Sequence, residues 1–338
     1  MRQKRQKSIR LLMMIASTLC VISLMIFSFG CGKEKEKPVA SFNIGFSEWV
    51  GFAPFFLAKE KGFFGDLQVE THFIGLESER REGLGSGRLQ MICETMDMFQ
   101  MDRENSDYSG QIVFGIDESS GRDGILVAEN IKSLRDVKGK KVAAELNSAA
   151  YFIILTLLDK EEMTLKDIDF QKMGDKEAAD AFAEGKVDVA GTHEPYLSSA
   201  IKKRGGSHIL ISSDDLPRRI VNVAIVKYGV IKKRKKDLKK VYEGWYNAVD
   251  YISKNPEESM TIMAKAFKLK PEEFSHKISG LNYLGDSENK EFFGNQKSPG
   301  NAFEIFGDIG SMLIDNQLSK VKAHPGTKIN LSIINPSE

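Results

Sequence analysis

The chain has 338 residues, of which 41% are apolar, 9% aromatic and 28% charged, a composition that excludes disorder and collagen-like repeats and fits a folded globular protein. Its 48 basic and 47 acidic side chains nearly cancel, which removes the charge excess expected of a nucleic-acid binder. A length well beyond the roughly 250 residues at which single cores stop growing predicts two lobes.

In chain order, the first segment reads as an address. Arg2, Lys4, Arg5, Lys7 and Arg10 precede an uncharged stretch from Leu11 to Gly30, and no acid occurs before Glu34. A basic start, an apolar run and a small residue before a cysteine is the order of an export signal. Ser28, Phe29, Gly30 and Cys31 resemble the processing site of bacterial lipoproteins, which implies that Cys31 becomes the lipid-modified N-terminus. The alternative is an uncleaved span, since 20 uncharged residues can cross a bilayer. Both readings put the rest of the chain outside the cytoplasmic membrane, behind a charged linker over 31–40. Without residues 1–30 the chain keeps 43 basic and 47 acidic side chains, so the mature protein is mildly acidic. Cys93 is then the only thiol of the folded part, which rules out an internal disulfide. The five histidines are scattered and no paired-cysteine or HExxH spacing occurs, so no metal or cofactor is expected.

Beyond the linker, Ser41 to Phe46 reads as a strand. A loop follows, then a helix opened by Pro54 and closed by Gly62. Gln68 to Phe73 alternates as a second strand. Gln111 to Gly115 and Gly124 to Val127 are short apolar runs between turn residues, as buried strands are. Val137 to Glu145 reads as turn and strand, and Ser148 to Leu158 as an apolar helix. Asp167 to Lys172, Lys176 to Glu184 and Val187 to Gly191 continue as strand, helix and strand, with a further central strand at Ile220 to Val226. The alternation indicates a parallel sheet in an α/β fold. After Gly229 the pattern is helical. Its basic run, Lys232 to Lys240, lies over an apolar stripe of Leu238, Val241, Trp245, Ala248, Val249 and Ile252, which reads as the solvated face of an amphipathic helix.

Three stretches carry a family resemblance: IGFSEWVGFAPFFLAKEKGFF from Ile44, IKSLRDVKGKKVA from Ile131, and DKEAADAFAEGKVDVAGTHEPYL from Asp175. In this order and spacing they resemble solute-binding proteins of the nitrate, sulfonate, taurine and thiamine-precursor uptake type. The resemblance implies a two-lobed, type II periplasmic-binding-protein-like fold with a helical C-terminal third. Lobe 1 would comprise 41–124 plus 228–330 and lobe 2 would comprise 125–227, with two hinge crossings near Gly124 to Val127 and Val223 to Lys227. It also implies a lipid-anchored monomer that holds a small-molecule ligand between the lobes and delivers it to an ABC permease and its ATPase.

In open α/β sheets, ligands sit beyond the carboxyl ends of the strands. Five loops meet that condition. The first holds Ser47, Glu48, Trp49 and Phe52; the second Glu94 and Thr95; the third Asp117, Ser119, Ser120 and Asp123; the fourth Glu145 and Asn147, with Ser148 as a helix cap; the fifth Thr192, His193, Glu194 and Tyr196. Trp49 and Phe52 read as an aromatic wall or as core, and the polar run around Gly121 as a site or a turn. With Glu118 the loops hold seven acids against Arg122, which favours a ligand with N–H donors or positive charge, such as an amine or aminopyrimidine, with Trp49 as a cation–π surface. Arg218 and Arg219 are the counterweight, able to meet a sulfonate. An enzyme of the related pyrimidine-synthesising type would need a cluster of cysteines. A sensory module would need a further membrane segment and an output domain. GxSxG, P-loop and GxGxxG motifs do not occur.

Overall fold

The computed structural model describes residues 41–101, 110–146, 148–320 and 322–335. The signal over 1–30, Cys31, the linker over 31–40 and Asn147 lie outside the described residues.

The first half of the chain alternates strand and helix, with more elements between Phe73 and Gly110 than its sequence predicts. β1 (Phe42–Phe46) leads through a 3-10 turn to α1 (Pro54–Glu60), then β2 (Val69–Phe73), α2 (Glu77–Ser86), β3 (Met91–Thr95), α3 (Met96–Met101) and the long β4 (Gly110–Ser119). Pro54 supplies a pre-set φ at the first turn of α1, and Gly62 just beyond its end adopts φ 70, a left-handed conformation that costs glycine little. A second group follows: β5 (Asp123–Val127), β6 (Lys141–Ala144), α4 (Ala149–Lys160), β7 (Asp169–Lys172), α5 (Asp175–Ala183), β8 (Val189–His193), α6 (Tyr196–Lys203) and β9 (His208–Ser212). The chain then returns through β10 (Val221–Lys227) to α7 (Tyr228–Lys233), α8 (Lys235–Lys254), α9 (Pro256–Ala266), α10 (Pro271–Ile278), β11 (Leu281–Tyr283), α11 (Asp286–Phe293) and α12 (Asn301–Asp315).

These strands form two sheets, ordered β11-β4-β10-β3-β1-β2 and β7-β6-β8-β5-β9. Neither is wholly parallel. β10 runs antiparallel to both β3 and β4, and β5 antiparallel to both β8 and β9, because each is the strand by which the chain enters a sheet from the other one. The passages between sheets are residues 120–122 and 213–220. The runs expected to be hinge crossings, Gly124 to Val127 and Val223 to Lys227, are instead interior strands. Val221–Lys227 belongs to the first sheet, whereas the sequence reading assigns it to the second lobe. Both runs are central and buried on both faces, and that burial accounts for their continuous apolar character.

The core forms where helices cover the sheets. Trp245 of α8 is fully buried, lies 4.6 Å from the Phe55 ring of α1 and donates its indole N–H to the Leu284 carbonyl, so the apolar stripe of α8 is the lid of the first sheet. The basic residues of the same helix stay outside. Ala178, Ala179 and Phe182 of α5 and Leu197 of α6 form a satellite cluster over the second sheet. None of the described helices is long and apolar enough to cross a membrane.

Candidate ligand-binding cleft

Both passages between the sheets run side by side. The Ser119 and Ser213 hydroxyls lie 2.8 Å apart, Ser119 donates to Asp123 Oδ2 at 2.6 Å, and Ser120 donates to Asp214 at 2.7 Å. Short polar residues thus stitch one crossing to the other, which accords with the turn reading of the run around Gly121.

In front of this pair lies a cavity of about 390 Å³, a volume suited to a small molecule. Its walls come from both sheets. Ser47, Trp49, Phe52, Glu94, Thr95 and Asp117 face it from the first, and Ser148, Asp175 and His193 from the second, with Ser119 and Asp123 at the crossing. A groove of about 740 Å³ is larger but more open, and it lies on the second group of elements alone, lined by Glu145, Lys176, Asp180 and Tyr196. The smaller cavity is the candidate site, because both sheets contribute to it and buried polar groups converge there.

Asp117 is 1% exposed. Its Oδ1 accepts from Asn222 at 2.9 Å and its Oδ2 from the Trp49 indole at 3.3 Å. Burial pushes its pKa up to about 7, the neighbouring charges of Asp123 and Glu118 add to the rise, and the two hydrogen bonds oppose it. Asp123 is raised by burial in the same way, against the Ser119 hydrogen bond and the charge of His193. For His193, burial opposes the charged ring, yet Asp175 at 3.4 Å and the Glu194 carbonyl at 2.8 Å raise its pKa on balance. Ionised carboxylates are costly in this setting unless a positive partner arrives.

Several expected residues are turned elsewhere. Glu48 is exposed and faces a separate groove beside Phe73 and Phe267. Ser120 is bonded to Asp214. Glu145 accepts from the Asp175 backbone in the larger groove, and the Thr192 hydroxyl donates to the Asp175 carbonyl. The Glu194 carboxylate accepts from the Ser198 hydroxyl at 2.6 Å and from its N–H at 3.3 Å, holding the start of α6. Tyr196 packs its ring 5.2 Å from His193, outside the cavity. Arg122 sits 5.6 Å from the Trp49 ring centroid and donates to the Ser279 carbonyl at 3.0 Å, so a cation of the chain itself already covers one Trp49 face. Arg218 lies near Glu118 and Glu291, and Arg219 binds Asp308 at 2.9 Å.

The cavity is also lined by residues outside the five loops. Glu77 and Arg80 follow β2 and Asp175 follows β7, two strand ends that are not among the five loops. Arg80 is buried and donates to the carbonyls of Ile74 and Gly75 at 2.8 and 3.0 Å; the adjacent Arg81 pairs with Glu77 and lies 3.7 Å from Glu94. In the sequence this helix looks like a charged surface segment. Asn222 had a visible signal, a lone amide inside the apolar run IVNVAIV.

Residues 49–259, more than half of the chain, match the family model described as NMT1/THI5 like. The chain belongs to that family. Among curated relatives, this NMT1/THI5-like chain is 28% identical over 150 residues to a provisionally named binding protein of Brucella abortus, an alignment covering 44% of this chain and 47% of that one. It is 26% identical over 216 residues to a Bacillus subtilis protein provisionally named an aliphatic sulfonates-binding protein, covering 58% and 61%. The chain thus spans about half the length of the first curated relatives it matches. Its fold is that of the periplasmic aliphatic sulphonate binding protein SsuA of Escherichia coli, with a TM-score of 0.68 over 86% of this chain and 92% of that one, at 19% identity. The fold is not confined to binding proteins: the desulfurization enzyme DSZB superposes with a TM-score of 0.58 at 11% identity, covering 88% of this chain and 98% of that one.

Proposed function

We propose that the chain is the extracytoplasmic substrate-binding subunit of an ABC importer, held at the membrane through lipid on Cys31, which captures a small organic solute between two lobes and hands it to a permease with its ATPase. The observation that carries this reading is a cavity lined from both sheets and backed by two stitched crossings. A solute held by both walls favours the closed form, and rotation about two short crossings leaves each sheet intact. We read the site as binding and not catalytic, because its central polar groups hold one another: Ser119 is fixed on Asp123 and Ser213, and Asp117 on Trp49 and Asn222.

Asp117, Asp123 and Asp175 face the cavity, and the first two are buried with no ion pair among the described residues, so the favoured solute carries N–H donors or a positive charge, as an amine or aminopyrimidine does. A sulfonate is the second reading, supported by Arg80 in the wall and by the names of the relatives. Small-angle scattering with a solute that raises the melting temperature tests the mechanism. Compaction on binding is expected; tight binding with an unchanged radius of gyration overturns the closure reading.

A further inference from the structure

The basic run that the cleft does not use sits where the chain's tether begins. Ser41, the first described residue, has its carbonyl held by Arg234 at 3.0 Å, and the same guanidinium lies 5.1 Å from the Phe42 ring centroid. Arg234 joins α7 to α8. Around it Lys232, Lys233, Lys235 and Lys236 are all exposed, and none has an acidic partner among the described residues; the neighbouring Lys239 and Lys240 pair with Glu243 and Asp66. Tyr228 is 61% exposed one turn before Lys232, on the same side of α7. An exposed ring with a polar tip beside unpaired lysines has the chemistry of a lipid-headgroup contact.

We propose that this face, Tyr228 with Lys232, Lys233, Lys235 and Lys236, docks on an anionic phospholipid surface and so sets the orientation of the cleft above the membrane. The proposal rests on the reading of residues 1–31 as a membrane anchor. From Cys31 to Ser41 the chain reaches at most about 35 Å even when fully extended, so the face that holds Ser41 is kept within a short distance of the bilayer. Residues 41–338 carry 40 basic and 45 acidic side chains, so an anionic surface repels the body as a whole and selects this local patch.

The test uses the full chain purified from membranes and reconstituted by its own N-terminus into vesicles of phosphatidylcholine alone or of phosphatidylcholine with phosphatidylglycerol. Lysine acylation rates are read by mass spectrometry, with Lys186 and Lys297 as controls. The four patch lysines are expected to react about fivefold more slowly in the anionic vesicles, and this protection to vanish in high salt, while the controls are unchanged. A variant with Lys232→Gln, Lys233→Gln, Lys235→Gln and Lys236→Gln is expected to lose the anionic-lipid protection of the Tyr228 peptide in hydrogen exchange. Equal rates in the two vesicle types overturn the proposal, and so does protection by soluble polyphosphate without any effect of phosphatidylglycerol. The mass of the N-terminal peptide reports separately whether Cys31 carries lipid, so a failed lipoprotein reading is distinguished from a failed docking surface.

Discussion

The indole of Trp49 donates to the carboxylate of Asp117 at 3.3 Å, joining the first loop to the end of β4 on one wall of the cleft. Gly51 makes the approach possible. A Cβ at that position would meet Asp117 Oδ2 and the Trp49 ring together, and both side chains are fixed by other partners. Gly51→Ala is therefore expected to cost about 1–3 kcal/mol as an overpacked site, read as a lower urea midpoint with an unchanged slope. An unshifted midpoint would show that the pair yields freely.

Asp117 makes stability depend on pH in a direction opposite to that of an ion-paired carboxylate. Its folded pKa of about 7 lies above the ordinary 3.8, so the folded protein holds the proton more tightly than the unfolded chain does. Its contribution is greatest below about pH 4, falls as pH rises from about 4 to about 7, and is level above that, a loss on the order of 4 kcal/mol. Asp117→Asn keeps an acceptor for Asn222 and removes the titration. The difference in unfolding free energy between the two proteins, followed from pH 4 to 8, should slope against the native chain through that window.

Asn289 is a second internal support. Fully buried on α11, it accepts from the Gly115 N–H at 2.6 Å and donates to the carbonyls of Gly115, Leu284 and Gly285. Asn289→Ala leaves the backbone of Gly115 without these partners in the middle of β4. A destabilisation of about 2–4 kcal/mol is expected from chemical denaturation, more than a surface Asn→Ala would give.

Much of this architecture was legible because the strands announce themselves. Phe42 to Phe46 and Val69 to Phe73 alternate, and the helices over 54–60 and 175–183 carry their own punctuation. The crossings lie a few residues from where the sequence puts them for a physical reason: β5 and β10 begin directly after the passages between the sheets, so their apolar runs hide the polar links beside them. At the site, residues on strand ends, such as Trp49, Asp117 and Asp123, were reachable by the strand-end rule. Arg80 was not, because a buried arginine on a charged helix has the same local sequence as a solvated one. Glu194 was reachable but is turned toward Ser198, a side-chain direction that strand periodicity does not encode.

That last difference separates two carboxylates experimentally. Asp123→Asn is expected to weaken a cationic solute roughly ten- to a hundredfold, the value of one charge-assisted hydrogen bond, and to affect a neutral analogue little. Glu194→Gln leaves the cavity wall intact and should change affinity less than about twofold by the same scale. Titration calorimetry on the two variants checks the contrast; equal losses would place Glu194 at the ligand.

The most direct measurement is a thermal-shift panel of amines, aminopyrimidines, aliphatic sulfonates and nitrate, run on the native chain and on Asp123→Asn at pH 8, where Asp117 is largely ionised. A rise in melting temperature with an amine or aminopyrimidine, lost in Asp123→Asn, is the expected result. A rise with sulfonates alone, kept in Asp123→Asn and lost in Arg80→Gln, would contradict the acidic-cleft reading and give the pocket to an anion.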